Sequence, residues 1–189
     1  MAQGQKIDPP MTAAAFMAWQ EAQSSGRRYE LLDGIVHEMQ AERLVHARVK
    51  SRVHALLERQ IAAGALMCEA MPDGMAVKID AQTVFEPDAL VRCGPPLPGD
   101  TLLIEDPMIV IEVVSPTSQR IDVLRKFARY FNNAAIVHYL IIIPAEKSAI
   151  HHQRMPDGQI VSRPNETGLI RLQPPGLMLD LAEVMAAAE

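Results

Sequence analysis

A chain of 189 residues with 49% hydrophobic residues is long enough to bury a core and too apolar to stay disordered. Aromatics are only 4%, so that core has to be built from Leu, Ile, Val, Ala and Met. A net charge of -5 argues against a protein coated with basic surface for phosphate contact. The positive charge is clustered, however: Arg43, Arg48, Lys50, Arg52 and Arg59 fall in one segment, and Arg120, Arg125, Lys126 and Arg129 in another. A solvated helix face accounts for such clusters as readily as a nucleic acid does. The longest apolar stretches, Ala134 to Pro144 and Met108 to Val114, are broken by His138 and Glu112 and fall short of the roughly 20 residues of a membrane span. No basic region leads into an apolar one at the N-terminus, and Cys68 and Cys93 are too few for a disulfide framework. The expectation is a cytoplasmic protein with free thiols and no membrane contact.

In chain order, Thr12 caps a short helix over Ala13 to Ala22, anchored by Phe16, Met17 and Trp19. Tyr29 to Leu32, Asp33-Gly34 and Ile35 to Met39 predict a hairpin, since Asp-Gly between apolar runs favours a tight turn. Val45, Val49, Val53, Leu56, Leu57 and Ile61 recur at helical spacing up to Gly64. Strands are expected near Leu66 to Ala70, Met75 to Ile79 and Val84 to Val91, then a proline-rich loop from Cys93 to Asp100. Met108 to Val114 reads as a strand buried on both faces. Ser115-Pro116 ends it, and Thr117 or Ser118 caps a helix reaching Asn132. Ile136 to Ile143 is then a second buried strand, parallel to the first if the helix is a crossover. Shorter strands follow, around a Pro156-Asp157-Gly158 turn. The whole reads as one α/β domain over 1–189.

Three acids stand out. Glu112 interrupts Ile109-Val110-Ile111 and Val113-Val114, where an ionised carboxylate without a partner is costly. Asp88 follows Glu86-Pro87 and precedes Ala89-Leu90-Val91. Glu30 opens the first hairpin strand. Carboxylates on neighbouring strands, without a Cys or His pair, favour a hard cation such as magnesium or manganese. Alternatively each is a structural acid in a salt bridge. Asp122, Lys126 and Tyr130 stand at i, i+4 and i+8, on one face of the predicted helix, so Lys126 can return to the end of the Glu112 strand or simply pair with Asp122 at the surface.

Arg28-Tyr29-Glu30-Leu31-Leu32-Asp33-Gly34, His46 opening a helix, Pro87-Asp88, Glu112-Val113-Val114-Ser115-Pro116, then Asp122, Lys126 and Tyr130 together resemble the Uma family of bacterial restriction endonuclease-like proteins. The resemblance is strongest over 11–144 and places the chain among the PD-(D/E)xK nucleases. It implies a restriction-endonuclease-like central mixed sheet flanked by helices, with an N-terminal helix and hairpin. It further implies that Asp88 is the first metal-binding acid, Glu112 the second, and Glu30 a support to the metal shell. The lysine usual two residues after the second acid is replaced by Val114, and the resemblance makes Lys126 its substitute. The chain departs from the family pattern at Leu140, where a tryptophan commonly follows the tyrosine, and at Asn132-Asn133-Ala134, where an Ala-Gly turn is typical.

His46 could carry a proton or touch phosphate near the site, or could cap its helix. His151-His152 point to opposite sides of a strand, which argues against joint metal binding. The expected activity is magnesium- or manganese-dependent hydrolysis of phosphodiester bonds, with DNA the expected partner and a homo-oligomer, preferably a dimer, the expected assembly; Leu177 to Met185 could supply its contact or fold onto the chain's own core. The alternatives are a catalytically silent nuclease-like fold used for nucleic-acid binding or assembly, and a metallohydrolase of small phosphorylated substrates.

Overall fold

A computed structural model describes residues 10–24, 26–114 and 120–188, with the side chains of 120–124 excepted. Thr12 accepts a hydrogen bond from Ala15 N and opens α1 (Ala13–Glu21). The hairpin strands β1 (Tyr29–Leu32) and β2 (Ile35–Glu38) follow. Their turn needs positive φ at both central residues, which Asp33 (51°) and Gly34 (75°) supply, and a Cβ at Gly34 would collide with Pro10. Then come α2 (Leu44–Ala63), β3 (Cys68–Pro72), β4 (Ala76–Asp80), β5 (Thr83–Phe85), β6 (Ala89–Cys93), β7 (Leu103–Ile104) and β8 (Pro107–Val113). After α3 (Arg120–Tyr130), β9 (His138–Ile143) lies parallel to β8, as a crossover helix requires. β10 (Ser148–Arg154), β11 (Ile160–Asn165), β12 (Leu169–Leu172), β13 (Leu177–Asp180) and α4 (Leu181–Met185) complete the order. The expected caps Thr117 and Ser118, and Ser115, lie outside the described residues, as does the side chain of Asp122.

The fold is mixed α/β. One sheet runs β11-β10-β9-β8-β6-β3, a second β2-β1-β5-β4-β7, and β12-β13 form a ribbon. The single strand expected over Val84 to Val91 is two strands, because Glu86-Pro87-Asp88 carries the chain from the second sheet into the first. Pro87 has no N–H to give a ladder, so the break falls where pairing is least favoured.

Side-chain alternation along β8 decides the layers. Ile109, Ile111 and Val113 join Val49, Val53, Leu56 and Leu57 of α2 in one core. Val110 points the other way, into a core shared with Tyr130 of α3, Tyr139 and Ile141, and with Val77, Ile79 and Phe85 of the second sheet. Glu112 is therefore directed to the α3 side. Leu177, Leu179, Leu181, Val184 and Met185 are buried in the α2 core, so the C-terminal apolar segment folds onto its own chain.

A further expectation is revised. Cys68 and Cys93 stand opposite each other on antiparallel β3 and β6 and are joined in a disulfide, not left as free thiols. A separation of 25 residues does not reveal that register. Asn133, a departure from the family pattern, is buried and constructive: its amide donates to Lys78 O and Glu105 O, and its oxygen accepts from Ala135 N. Among the described residues no helix is long and apolar enough to cross a membrane.

His151 and His152 do face opposite sides. His138 Nε2 lies 2.8 Å from Pro174 O, which can only accept, so His138 Nδ1 accepts from His151 Nε2–H at 2.9 Å. His152 pairs with Ser162 Oγ and packs on Phe127 and Tyr139. Burial depresses all three pKa values, to about 4 for His151 and His152, with Arg163 also disfavouring the His151 cation. A depressed histidine contributes stability that is complete above its ordinary value of 6.5 and lost as pH falls below it. The histidine contribution to denaturant midpoints should therefore hold from pH 7.5 to about pH 6.5 and then fall towards pH 4, against an opposing gain as Glu112, whose pKa is raised to about 7, takes up its proton. His151→Asn should make that acid slope shallower.

Candidate active site

Glu112 Oε1 accepts from Lys126 Nζ at 3.0 Å and from Tyr130 OH at 2.6 Å. Both donors come from the one face of α3 that the i, i+4 spacing marks. Lys126 is 9% exposed, so the surface pairing considered for it does not apply. Its ammonium also reaches Glu30 Oε1 at 2.8 Å and sits 5.3 Å from the Phe85 ring centroid. Since Glu30 belongs to the second sheet and Glu112 to the first, one ammonium ties the two sheets together through α3. Glu30 additionally accepts from Glu86 N at 2.9 Å.

Asp88 stands beside Glu112 at the strand ends but has a different cation. Its Oδ2 accepts from Val113 N at 2.6 Å, and its own N–H donates to Ile111 O. Its Oδ1 lies 2.6 Å from Lys50 Nζ, which α2 delivers from the opposite face of the sheet. Lys50 also contacts Glu42 at 2.6 Å and Asp73 at 3.0 Å. Arg28 continues the chain of charges by joining Asp73 to Glu86. A cleft of about 240 Å³ opens here, lined by Glu42, Lys50, Ser51, His54, Asp73 and Asp88 among others.

Electrostatics separate the groups. Burial drives the Glu112 pKa up to about 7, with Asp88 and Glu30 adding to the rise and Lys126 and Tyr130 opposing it. Burial works against the Lys126 charge, but Glu112 and Glu30 outweigh it and hold the ammonium protonated. Lys50 likewise stays charged: Asp88, Glu42 and Asp73 overcome its burial. Asp73 is held below the usual carboxylate range by Arg28 and Lys50, despite burial.

The structure thus brings together Glu30, Glu112, Lys126 and Tyr130, with Asp88 adjoining. His46 lies in the first turn of α2, and among the described residues no hydrogen bond ties its ring to the carboxylates. Sequence reasoning missed Lys50, Glu42, Asp73 and Glu86 as members of the site. The available signal was Lys50 four residues after His46, on the face of α2 that also carries His54.

The Uma2 family, described as "Putative restriction endonuclease", matches residues 13–185. The chain belongs to the Uma2 family. An uncharacterized protein of Synechocystis is 27% identical over 135 residues, covering 71% of this chain and 69% of that protein. In structure, the chain resembles a "putative nuclease" of the DUF820 group from Anabaena variabilis. The TM-score is 0.75 at 13% identity, over 95% of this chain and 100% of that one. The Uma2 match supports a nuclease-like function, and the structural likeness supports the nuclease-like fold.

The carboxylates around Asp88 and Glu112 have the donor chemistry for a hard divalent cation. These acids offer only oxygen, and six carboxylates (Glu30, Glu42, Asp73, Glu86, Asp88, Glu112) face three cations (Arg28, Lys50, Lys126). Among the described residues, however, no group of three His, Cys, Asp or Glu side chains is placed to hold an ion, and Lys50 and Lys126 contact these acids instead. Removing an ammonium should expose the cost of the acids it holds. In metal-free protein, the Glu112 carboxyl followed by carbon-13 NMR should titrate above the ordinary value near 4.3 and higher still in Lys126→Met.

Proposed function

We propose that this Uma2 protein is a magnesium- or manganese-dependent endonuclease that hydrolyses phosphodiester bonds in DNA. The observation that carries the reading is the buried Glu112–Lys126 pair beside Asp88, with the lysine supplied by α3 because Val114 occupies the strand position. Asp88 and Glu112 would hold the cation, with Glu30 in support. When bound, the metal would supply Lewis-acid stabilisation of the phosphoryl charge.

The chain's own residues have separable tasks. Tyr130 and Lys126 fix the Glu112 rotamer, and Val113 N fixes that of Asp88. The Lys126 ammonium provides a fixed positive charge beside the reacting phosphate and can orient the attacking water. Phe85, packed against Lys126 and Tyr130, keeps bulk water from screening that charge. Arg43, just before α2, and Arg48 and Arg52 on α2, the helix that walls the cleft, are exposed and would track a phosphate backbone. The cleft is smaller than the roughly 300 Å³ at which ligand pockets begin, which suits one phosphate of a polymer better than an engulfed nucleotide. The Uma2 match over 13–185 supports taking the chain as one nuclease-like domain. A homodimer would need a surface other than the buried C-terminal segment.

A second reading is a catalytically silent nuclease-like fold that binds nucleic acid. It is favoured by the lysine neutralisation of every metal-ligand candidate and by the net charge of -5. Plasmid, single-stranded DNA and RNA incubated with magnesium or manganese, against chelator, separate the two. The expected outcome is metal-dependent cleavage of DNA, abolished in Asp88→Ala and reduced on the order of 10²–10³-fold in Lys126→Met. Cleavage that survives both substitutions would sink the assignment. DNA binding without cleavage, from folded protein, would establish the silent fold instead.

A further inference from the structure

Lys50 has no part in the site expected from sequence, yet it makes the most extensive ionic contact in the molecule's cleft. Its ammonium lies 2.6 Å from Asp88 Oδ1, 2.6 Å from Glu42 and 3.0 Å from Asp73, on a side chain only 14% exposed. Those carboxylates come from three places: the approach to α2, the turn after β3, and the junction of β5 with β6. The ammonium thus occupies the position beside Asp88 Oδ1 that a cation ligated by that oxygen would need, with Asp73 shared between Lys50 and Arg28. It stands on the open side of Asp88, while the other oxygen of that carboxylate is engaged by Val113 N.

We propose that Lys50 is a resident counter-ion, occupying the Asp88 half of the site in the metal-free protein and leaving it when a divalent cation enters. This inference rests on the metal-dependent reading of the same carboxylates. The physical argument is exclusion: an ammonium at hydrogen-bond distance from Asp88 Oδ1 and a metal ligated by that oxygen cannot share the same position. Lysine is suited to the exchange because its charge sits on a long stem with several rotatable bonds, and the adjoining cleft gives the stem room to swing. Lys126 is different, being buried between the two sheets with its ammonium 5.3 Å from the Phe85 ring centroid, and it is not among the residues lining that cleft. The two lysines thus divide the work, Lys126 as a fixed charge and Lys50 as a displaceable one. Displacement makes metal affinity depend on the fraction of molecules in which Lys50 has left Asp88.

Manganese binding measured by electron paramagnetic resonance on the full chain tests this without any nucleic acid. Lys50→Gln should bind manganese about tenfold more tightly than the wild type, or better, and Lys50→Arg should not gain. Asp88→Asn combined with Lys50→Gln should lose the gain. In the wild type, the rate of Lys50 acetylation read by mass spectrometry should rise several-fold on saturation with manganese, a readout that does not depend on the variants folding. Manganese binding by the wild type with neither a tighter Lys50→Gln variant nor faster labelling would overturn the proposal and leave the metal reading standing. Failure of every form to bind manganese would remove both.

Discussion

Glu112 is a carboxylate inside a sheet strand, with apolar neighbours on either side and a helix packed over it, and an ion in that position is tolerated only when a partner lies within hydrogen-bond distance. Lys126 and Tyr130 meet that need from α3. The same ammonium holds Glu30, so one charge links strand β1, helix α3 and strand β8. Burial still leaves Glu112 with its proton held to about pH 7, against a rival carboxylate on each side. Packing and electrostatics oppose each other at this residue, as they do at buried ion pairs and at sites that perform chemistry alike.

The two lysines reach the strand ends from opposite faces of the six-stranded sheet, Lys50 on α2 and Lys126 on α3. Each neutralises carboxylates that a hard cation could also neutralise. The basic clusters therefore have two roles, which a charge count merges. Lys50 and Lys126 turn inward to the acids, while Arg43, just before α2, and Arg48 and Arg52 on it remain at the surface. Among the described residues only three acids, Glu86, Asp88 and Glu112, are buried, so the net charge of -5 is carried mostly at the surface.

Several elements were legible because the physics that forms them is local. Asp33-Gly34 specifies its turn by backbone conformation, Thr12 its helix start by a side-chain acceptor, and α2 its buried face by repeat spacing. Asp88 and Glu112 were legible for another reason, since an acid among apolar residues is costly, and Lys126 because its spacing with Tyr130 on one helix face and the ordered motifs singled it out. Glu42 and Asp73 gave no such signal. They lie in polar loop sequence, where acids are ordinary, and only the approach of α2 to β3 makes them neighbours of Lys50. The disulfide was hidden in the same way, since Cys68 meets Cys93 only through the register of β3 with β6.

By itself the sequence determined the α/β class, the parallel β8–β9 crossover, the acids that require partners and the helix face carrying Lys126. Periodicity, turn chemistry and the cost of an unpaired charge act over a few residues and are written in order along the chain. The tertiary structure alone decided which cation serves which acid. That choice depends on the side of the sheet from which each helix arrives and on the break at Pro87 that moves Asp88 between sheets, and distance in space, not spacing in sequence, sets the strength of an ion pair.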